Sequence, residues 1–244
     1  LEAMALPPYT TTAEKVSYYG LRIFVGLVLL FLIAPILAIM PLSFNSETFF
    51  SYPMPGFSTK WYFGETGFFT NERWTSALKL SVIVAVAATI LATCLGTLAA
   101  LGLSRSNIPG RAAIMAVLIS PMIVPVIISA IGLFFFYAYT GLNGTLIGII
   151  LAHTALATPF VVITVTATLM SFDRTLMRAG ASLGGAPHTV FFKVVLPLIL
   201  PGVISGALFA FVTSFDEVIV ILFIGGPEQR TLPRQMFSGI RELI

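Results

Sequence analysis

Long apolar stretches, separated by short polar links, restrict the fold of this sequence more than any other feature. Each supplies about 20 mostly apolar residues, the length that a helix needs to cross the hydrocarbon core of a bilayer. They lie at residues 19–41, 75–103, 112–139, 146–170 and 195–223. Only 9% of the residues are charged, against about 25% in a soluble domain. So few charges cannot cover a globular surface, so the sequence predicts an all-α membrane protein.

Two of these stretches carry patterns that predict how they pack. Small residues recur at helical spacing in residues 75–103 and would let another helix approach closely. They are Ala85, Ala88, Ala92, Gly96 and Ala100. In residues 112–139, Pro121 and Pro125 stand four residues apart and predict a kink, because proline removes a backbone donor from a helix.

The charges and motifs also exclude several classes of function. A net charge of +3, scattered along the chain, offers no patch for nucleic acid. The sequence has no phosphate-binding glycine loop ending in Lys-Ser or Lys-Thr and no His-Glu-x-x-His zinc motif. His153 is the only deep histidine, with no third group to orient it. We therefore expect a chain that is not an enzyme, with no catalytic residue, metal or cofactor.

Lysine and arginine predict the orientation of the spans, since they favour the cytoplasmic side. With the N-terminus in the cytoplasm, the segments on that side are shorter and richer in positive charge. Their cations are Lys15, Arg22, Arg105, Arg111, Arg174, Arg178 and Lys193, and those of the other side are Lys60, Arg73, Lys79, Arg230, Arg234 and Arg241. We expect this orientation, which places residues 173–193 in the cytoplasm.

The link at residues 173–193 is polar and rich in glycine before it turns apolar. Residues 175–182 are predicted as a short helix that Gly184 and Gly185 end. One face would consist of small and apolar side chains, namely Leu176, Ala179, Gly180 and Leu183. Such a face suits a second protein that grips the helix, and the alternative is a plain re-entry loop.

This link resembles the EAA loop of ABC-importer permeases, which reads Glu-Ala-Ala, three residues, Gly, nine residues, then Ile-x-Leu-Pro. Four positions match at these offsets, namely Ala179, Gly184, Leu196 and Pro197. Gly180 replaces the second alanine, Val194 replaces the isoleucine, and Arg178 stands at the position of the glutamate. The resemblance implies that a partner ATPase is coupled through Arg178, Ala179, Gly180, Leu183, Gly184, Leu196 and Pro197.

From about Asp173 onward the sequence is similar to spermidine/putrescine-type permeases. The similar segments are Ser214-Phe215-Asp216-Glu217-Val218, Gly226-Pro227, Thr231-Leu232-Pro233 and Met236-Phe237. The resemblance implies a type I ABC-importer permease fold, with residues 1–244 as a single transmembrane domain in the bacterial cytoplasmic (inner) membrane. Such permeases have six spans, so we expect that five are present here and that a sixth is missing at the C-terminus.

The same resemblance implies a set of partners. A second permease subunit would complete the pathway, a dimer of ABC ATPases would bind on the cytoplasmic side, and an extracytoplasmic solute-binding protein would deliver the substrate. Membrane lipid would surround the spans. Closure of the ATPase pair on ATP would pull the short helix, and the helix would tilt the spans that line the pathway.

Asp216 and Glu217 stand side by side within the fifth apolar stretch. A charge at the bilayer centre costs roughly 2.5–3.5 kcal/mol on insertion scales. Two adjacent carboxylates therefore need a cavity, a counter-charge or protonation. We hypothesise that at least one faces the pathway and attracts a small cation, above all a polyamine such as putrescine or spermidine. Alternatively, the pair caps a helix break or binds a basic residue of the sister subunit.

Other functions remain open at this point. The same class of importer also moves amino-acid derivatives and opines. A stand-alone channel or secondary transporter is the alternative of another class, and it would predict charges spread over several spans. Here they are concentrated at Asp216 and Glu217, and His153 is the only other titratable group deep in a span. A membrane histidine acts as a relay or ligand, or is hydrogen-bonded to a neighbouring helix.

Overall fold

The computed structural model describes residues 9–48, 51–104 and 108–242, the last three by their backbone only, so Arg105 and the side chain of Arg241 lie outside it. The chain divides into two compact units, Leu1–Asn71 and Glu72–Ile244. The elements in order are α1 (Thr12–Leu42), α2 (Lys60–Phe63), α3 (Glu72–Leu103), α4 (Arg111–Ile123), α5 (Val126–Thr140), α6 (Leu146–Met170), α7 (Thr175–Ser182), α8 (Pro187–Val190), a π-helical turn (Phe191–Val195), α9 (Leu196–Phe215), α10 (Ile219–Ile224) and α11 (Leu232–Glu242).

The first unit consists of α1 and the aromatic loop that follows it. Thr11 begins α1 with a capping box, in which its hydroxyl accepts from the N–H of Glu14 and the Glu14 carboxylate accepts from the N–H of Thr11. No described residue of α1 is buried within this chain, as expected for an apolar helix that packs against lipid or another subunit. In the loop, Phe44 stacks on Phe57 with ring centroids 5.0 Å apart.

The core of the second unit is formed by α3, α6 and α9. The predicted stripe of small residues on α3 is buried throughout, which confirms its role in packing. A Cβ added at Gly96 would lie 2.7 Å from the Cβ of Val161 on α6. A Cβ added at Gly206 of α9 would lie 2.9 Å from the Cα of the same valine. The three helices therefore approach closely because two side chains are absent.

The third predicted span is not one helix. It is divided into α4 and α5, whose axes differ by 103°. Val124 has an extended backbone, with ψ 132°, and Pro125 then starts α5. The residue before a proline is pushed out of the helical region, and the proline ring supplies no N–H to the preceding turn. The prolines thus divide the predicted span into two helices, whereas the sequence predicted only a kink within one helix.

The fifth predicted span, 195–223, is wrong at both ends. A continuous helical segment begins earlier, at Pro187, and runs to Phe215. It includes the π-helical turn, in which the N–H of Leu196 donates to the carbonyl of Phe191. Because α9 ends at Phe215, Asp216 and Glu217 lie after the spanning helix rather than in the middle of it. The apolar residues that follow belong to the separate helix α10, so the carboxylate pair stands at a helix break, which is one of the alternatives that the sequence left open.

The link between α10 and α11 is tied to the start of α3 and to the turn before α6. The N–H of Leu232 donates to the Ser81 hydroxyl at 2.7 Å, and the Gln229 side chain donates to the Gly144 carbonyl at 2.8 Å. The Gly226-Pro227 and Thr231-Leu232-Pro233 segments therefore serve packing in this region. Ser81 lies in the first third of α3 and Ser104 directly follows its last residue, so the two are about 34 Å apart at 1.5 Å per residue.

In the described part of the chain, four helical segments are long and apolar enough to cross a membrane, and the bent pair α4–α5 raises this number to five if it counts as one span. The predicted number of five spans lies within this range of four to five.

Gly96→Ala should destabilise the protein, by about 1–3 kcal/mol, because overpacking a close helix contact forces the neighbouring helix to move. Gly102→Ala on the same helix is the matched control, since nothing lies within 4 Å of a Cβ added there. Thermal melting of the two purified variants in mild detergent compares them. Equal melting temperatures would contradict the close contact.

Candidate functional site

The short helix α7 has the bounds that the sequence predicts, Thr175–Ser182. Before it, the Asp173 carboxylate accepts from the N–H of Thr175 at 2.8 Å and from its hydroxyl at 2.7 Å, and these bonds hold the pKa of Asp173 below its usual value. After it, Gly184 has φ +81°, and the N–H of Gly185 donates to the carbonyl of Gly180. This left-handed glycine cap ends the helix as predicted.

The small and apolar face of α7 divides into two parts. Gly180 packs inside the chain, where an added Cβ would lie 3.2 Å from the Val190 side chain and 3.7 Å from that of Val194. Leu183 is 89% exposed, and Ala179 is exposed as well. Gly180 therefore sets how close α7 lies to the following helix, and Leu183 is accessible to another molecule.

Leu196 and Pro197 lie beyond α7, in the helical segment that begins at Pro187. Pro197 has no N–H, and the π-helical turn immediately before α9 changes the hydrogen-bonding register there. The matched positions of the loop motif are thus distributed between α7 and the start of α9. The contact of Gly180 with Val194 gives a physical reason for the spacing between these two motif positions.

The two arginines of this region differ in their contacts. The guanidinium of Arg174 donates to the carbonyl of Ser104, at the end of α3. Within the described residues, no hydrogen bond or ion pair involves the guanidinium of Arg178, which is exposed. Arg178 is five residues before Leu183, so the two side chains project about 140° apart around the helix axis.

The predicted carboxylate pair lies at the break between α9 and α10. The Glu217 carboxylate accepts from the N–H of Val220 at 2.7 Å and so caps α10. Asp216 is the last residue of the preceding turn and is exposed, and no hydrogen bond to its carboxylate occurs within the described chain. The capping alternative therefore applies to Glu217, and Asp216 is the carboxylate that remains available to a solute.

His153 of α6 is bonded to Ser214, the second-last residue of α9, directly before this break. It is 1% exposed, and its Nδ1 lies 3.1 Å from the Ser214 carbonyl and 2.9 Å from the Ser214 hydroxyl. A carbonyl only accepts, so we assign the proton to Nδ1. The histidine thus satisfies a carbonyl near the C-terminus of α9, where no intrahelical donor follows. This bond to a neighbouring helix confirms one of the alternatives that the sequence left open for His153, but the sequence could not identify the partner because Ser214 is 61 residues away.

Comparisons with known proteins agree with the predicted fold. The family described as binding-protein-dependent transport system inner membrane component matches residues 92–242. A chain in a crystal structure of a bacterial ABC transporter involved in the import of the acidic polysaccharide alginate is similar with a TM-score of 0.74. That similarity covers 98% of this chain and 85% of the other, with 16% identity. At this identity it shows the fold alone, which is the predicted permease fold.

Two curated relatives are similar in sequence over most of the chain. The spermidine/putrescine transport system permease protein PotC of Haemophilus influenzae is 33% identical over 218 residues, which cover 89% of this chain and 83% of that protein. The putrescine transport system permease protein PotI of Escherichia coli is 33% identical over 218 residues, covering 86% and 76% respectively.

His153→Ala should destabilise the protein by about 1–3 kcal/mol beyond the effect of the lost volume, because the Ser214 carbonyl is left without a donor. Ser214→Ala is the matched control, because it keeps the carbonyl and removes only the hydroxyl. Thermal melting of the single variants and of the double variant measures the coupling. If the Ser214 variant loses as much stability as the His153 variant, the carbonyl bond is not the important one.

Proposed function

The chain belongs to the family of binding-protein-dependent transport system inner membrane components, and we propose that it is a permease subunit that imports a polyamine. Members of this family are transport subunits of the inner membrane rather than enzymes, and they work with an ATPase and a binding protein. The proposed substrate rests on the 33% identity, over most of the chain, to permeases named for putrescine and spermidine.

The proposed assembly has a second permease subunit, a cytoplasmic ABC ATPase dimer and an external solute-binding protein. The N-terminus and α7 lie in the cytoplasm, as the basic residues predict. The ATPase contacts the exposed side of α7, through Ala179, Leu183 and the Gly184 turn. Gly180, Leu196 and Pro197 contribute indirectly, because they set the position of α7 against the following helix. Arg178, the remaining residue of the predicted coupling set, lines a cavity on another side of α7.

Movement of α7 passes to the pathway through one helical segment. Gly180 packs on Val190, and the segment that contains Val190 continues without interruption to Phe215. A displacement of α7 by the ATPase therefore moves the N-terminal end of this segment. Asp216 lies at its other end, next to the bond between His153 and Ser214. This arrangement supports coupling between ATP hydrolysis and exposure of the Asp216 carboxylate.

A polyamine is a flexible chain with an ammonium group at each end, and it needs carboxylates or other acceptors along its path. The free carboxylate of Asp216 fits one such ammonium group, whereas one oxygen of the Glu217 carboxylate already accepts from the N–H of Val220. The alternatives of an amino-acid derivative, an opine or a stand-alone channel have no comparable support.

A mild-detergent pull-down of the tagged chain from its native membrane tests the assembly. We expect an ABC ATPase and a second permease to co-purify, and we expect putrescine with the binding protein to stimulate ATP hydrolysis. A chain that purifies alone, or hydrolysis that an opine stimulates and putrescine does not, would contradict the proposal.

Leu183→Asp should release the ATPase without unfolding the chain, because the side chain is almost fully exposed in the free subunit. An apolar anchor at an interface costs about 2 kcal/mol or more when it is removed, so we expect co-purification of the ATPase to fall by about tenfold or more. Leu183→Met, which keeps the apolar contact, is the matched control. If the Leu183→Asp variant retains as much ATPase as the wild type does, Leu183 does not contact the ATPase.

Asp216→Asn should reduce putrescine uptake more than Glu217→Gln does. A hydrogen bond to a charged partner contributes roughly 1.5–3 kcal/mol, so loss of the Asp216 charge should raise the half-saturating concentration by about tenfold or more. Uptake of radiolabelled putrescine into proteoliposomes that contain the whole assembly measures this. Equal uptake by the wild type and the Asp216 variant would remove this residue from the pathway.

A further inference from the structure

A cavity of about 560 Å³ lies between α7 and the ends of the neighbouring spanning helices. One face of α7 lines it, formed by Arg174, Met177, Arg178 and Ala181. This spacing of three and four residues is that of a single helical face. Leu183 projects about 140° away from Arg178. The residues of α7 that line the cavity therefore differ from those proposed to contact the ATPase.

The charge around the cavity is positive. Arg174 and Arg178 are among its lining residues, and no carboxylate is among them in the described part of the chain. The nearby acid in sequence, Asp173, is bonded to Thr175 and does not line the cavity. Arg174 is held in place by the Ser104 carbonyl, and the Arg178 guanidinium has no partner within the described residues. Two positive groups without a counter-charge favour an anion.

The remaining walls of the cavity are mostly apolar and come from the ends of membrane-spanning segments. Leu101 belongs to α3, Leu169 to α6 and Phe191 to the segment before α9. One turn before Leu101 on α3, Leu98 is 65% exposed, and Leu95 is 54% exposed one turn further into the span. An exposed apolar stripe thus leads from the cavity along the hydrocarbon-spanning part of α3.

We propose that this cavity binds an anionic phospholipid. The phosphate lies between the guanidinium groups of Arg174 and Arg178, and an acyl chain follows Leu101, Leu98 and Leu95 along α3. An anionic headgroup attached to a long apolar chain matches both the cationic lining and the apolar stripe. Basic pockets between spanning helices, at the level of the headgroups, are known to bind such lipids.

The proposal also gives Arg178 a function at the motif position where a glutamate is expected. A glutamate there would place a negative charge in the cavity and repel a phosphate. The arginine instead lets one lipid connect α7 with the ends of α3 and α6. This inference does not depend on the substrate or on the docking of the ATPase.

The test is titration of the purified full-length chain, in mild detergent, with dioleoyl phosphatidylglycerol, with bound lipid counted by native mass spectrometry. We expect one molecule to bind more tightly than dioleoyl phosphatidylcholine does. Arg178→Gln should weaken its binding by about fivefold, the contribution of one basic residue near an anionic surface. Arg178→Lys, which keeps the charge, should retain more of the affinity.

Lys193→Gln is the matched control, because Lys193 is an exposed cation of the same link that does not line the cavity. This variant should bind phosphatidylglycerol like the wild type, and circular dichroism and melting of all variants should confirm that they are folded. Three results would overturn the proposal: equal affinity for the two lipids, unchanged binding by folded Arg178→Gln, or competition by soluble glycerol phosphate as strong as that by the lipid. In the Arg178→Lys variant, a carbodiimide cross-link from the introduced amine to a co-purifying protein would also overturn it, since a protein carboxylate would then occupy the cavity.

Discussion

The close approach of α6 to its two neighbours is the contact on which the rest of the second unit depends. In a bilayer, helices gain little from hiding apolar side chains, because lipid is equally apolar, so packing and hydrogen bonds must hold them together. Gly96 of α3 and Gly206 of α9 press against the same residue of α6, Val161. These contacts fix the positions of the three helices relative to one another. They therefore also fix the polar groups that lie at the helix ends.

The segment from Pro187 to Phe215 connects those two ends. At one end, the packing of Gly180 on Val190 attaches the short helix α7 to it. At the other, the helix stops at Asp216, next to the His153–Ser214 bond. The α6–α9 contact holds the middle of the segment. A π-helical turn, Phe191–Val195, lies between α7 and this contact, and Val195 within it is buried in the core.

Several backbone groups at the breaks between these helices have side-chain partners. Glu217 caps α10 through the N–H of Val220, His153 binds the Ser214 carbonyl, and the Ser81 hydroxyl accepts from the N–H of Leu232. Irregular backbone at membrane depth is stable only where protein or trapped water satisfies it. Glu217 and His153 therefore have structural roles at this end of the unit. In contrast, no hydrogen bond to the Asp216 carboxylate occurs within the described residues.

The sequence by itself determined the elements whose causes are local. Apolar length predicted the spans, small residues predicted the buried face of α3, and Gly184 and Gly185 predicted where α7 ends. It also carried the resemblance to permeases through the spacing of its loop motif. Only the tertiary structure decided where α9 ends, because the two carboxylates in an apolar run suit either a cavity within a span or a break between two helices, and the sequence left both open. It also placed Gly180 inward, Leu183 outward and Arg178 at a cavity, since these positions depend on contacts with α3, α6 and the segment after α7, which are distant in sequence.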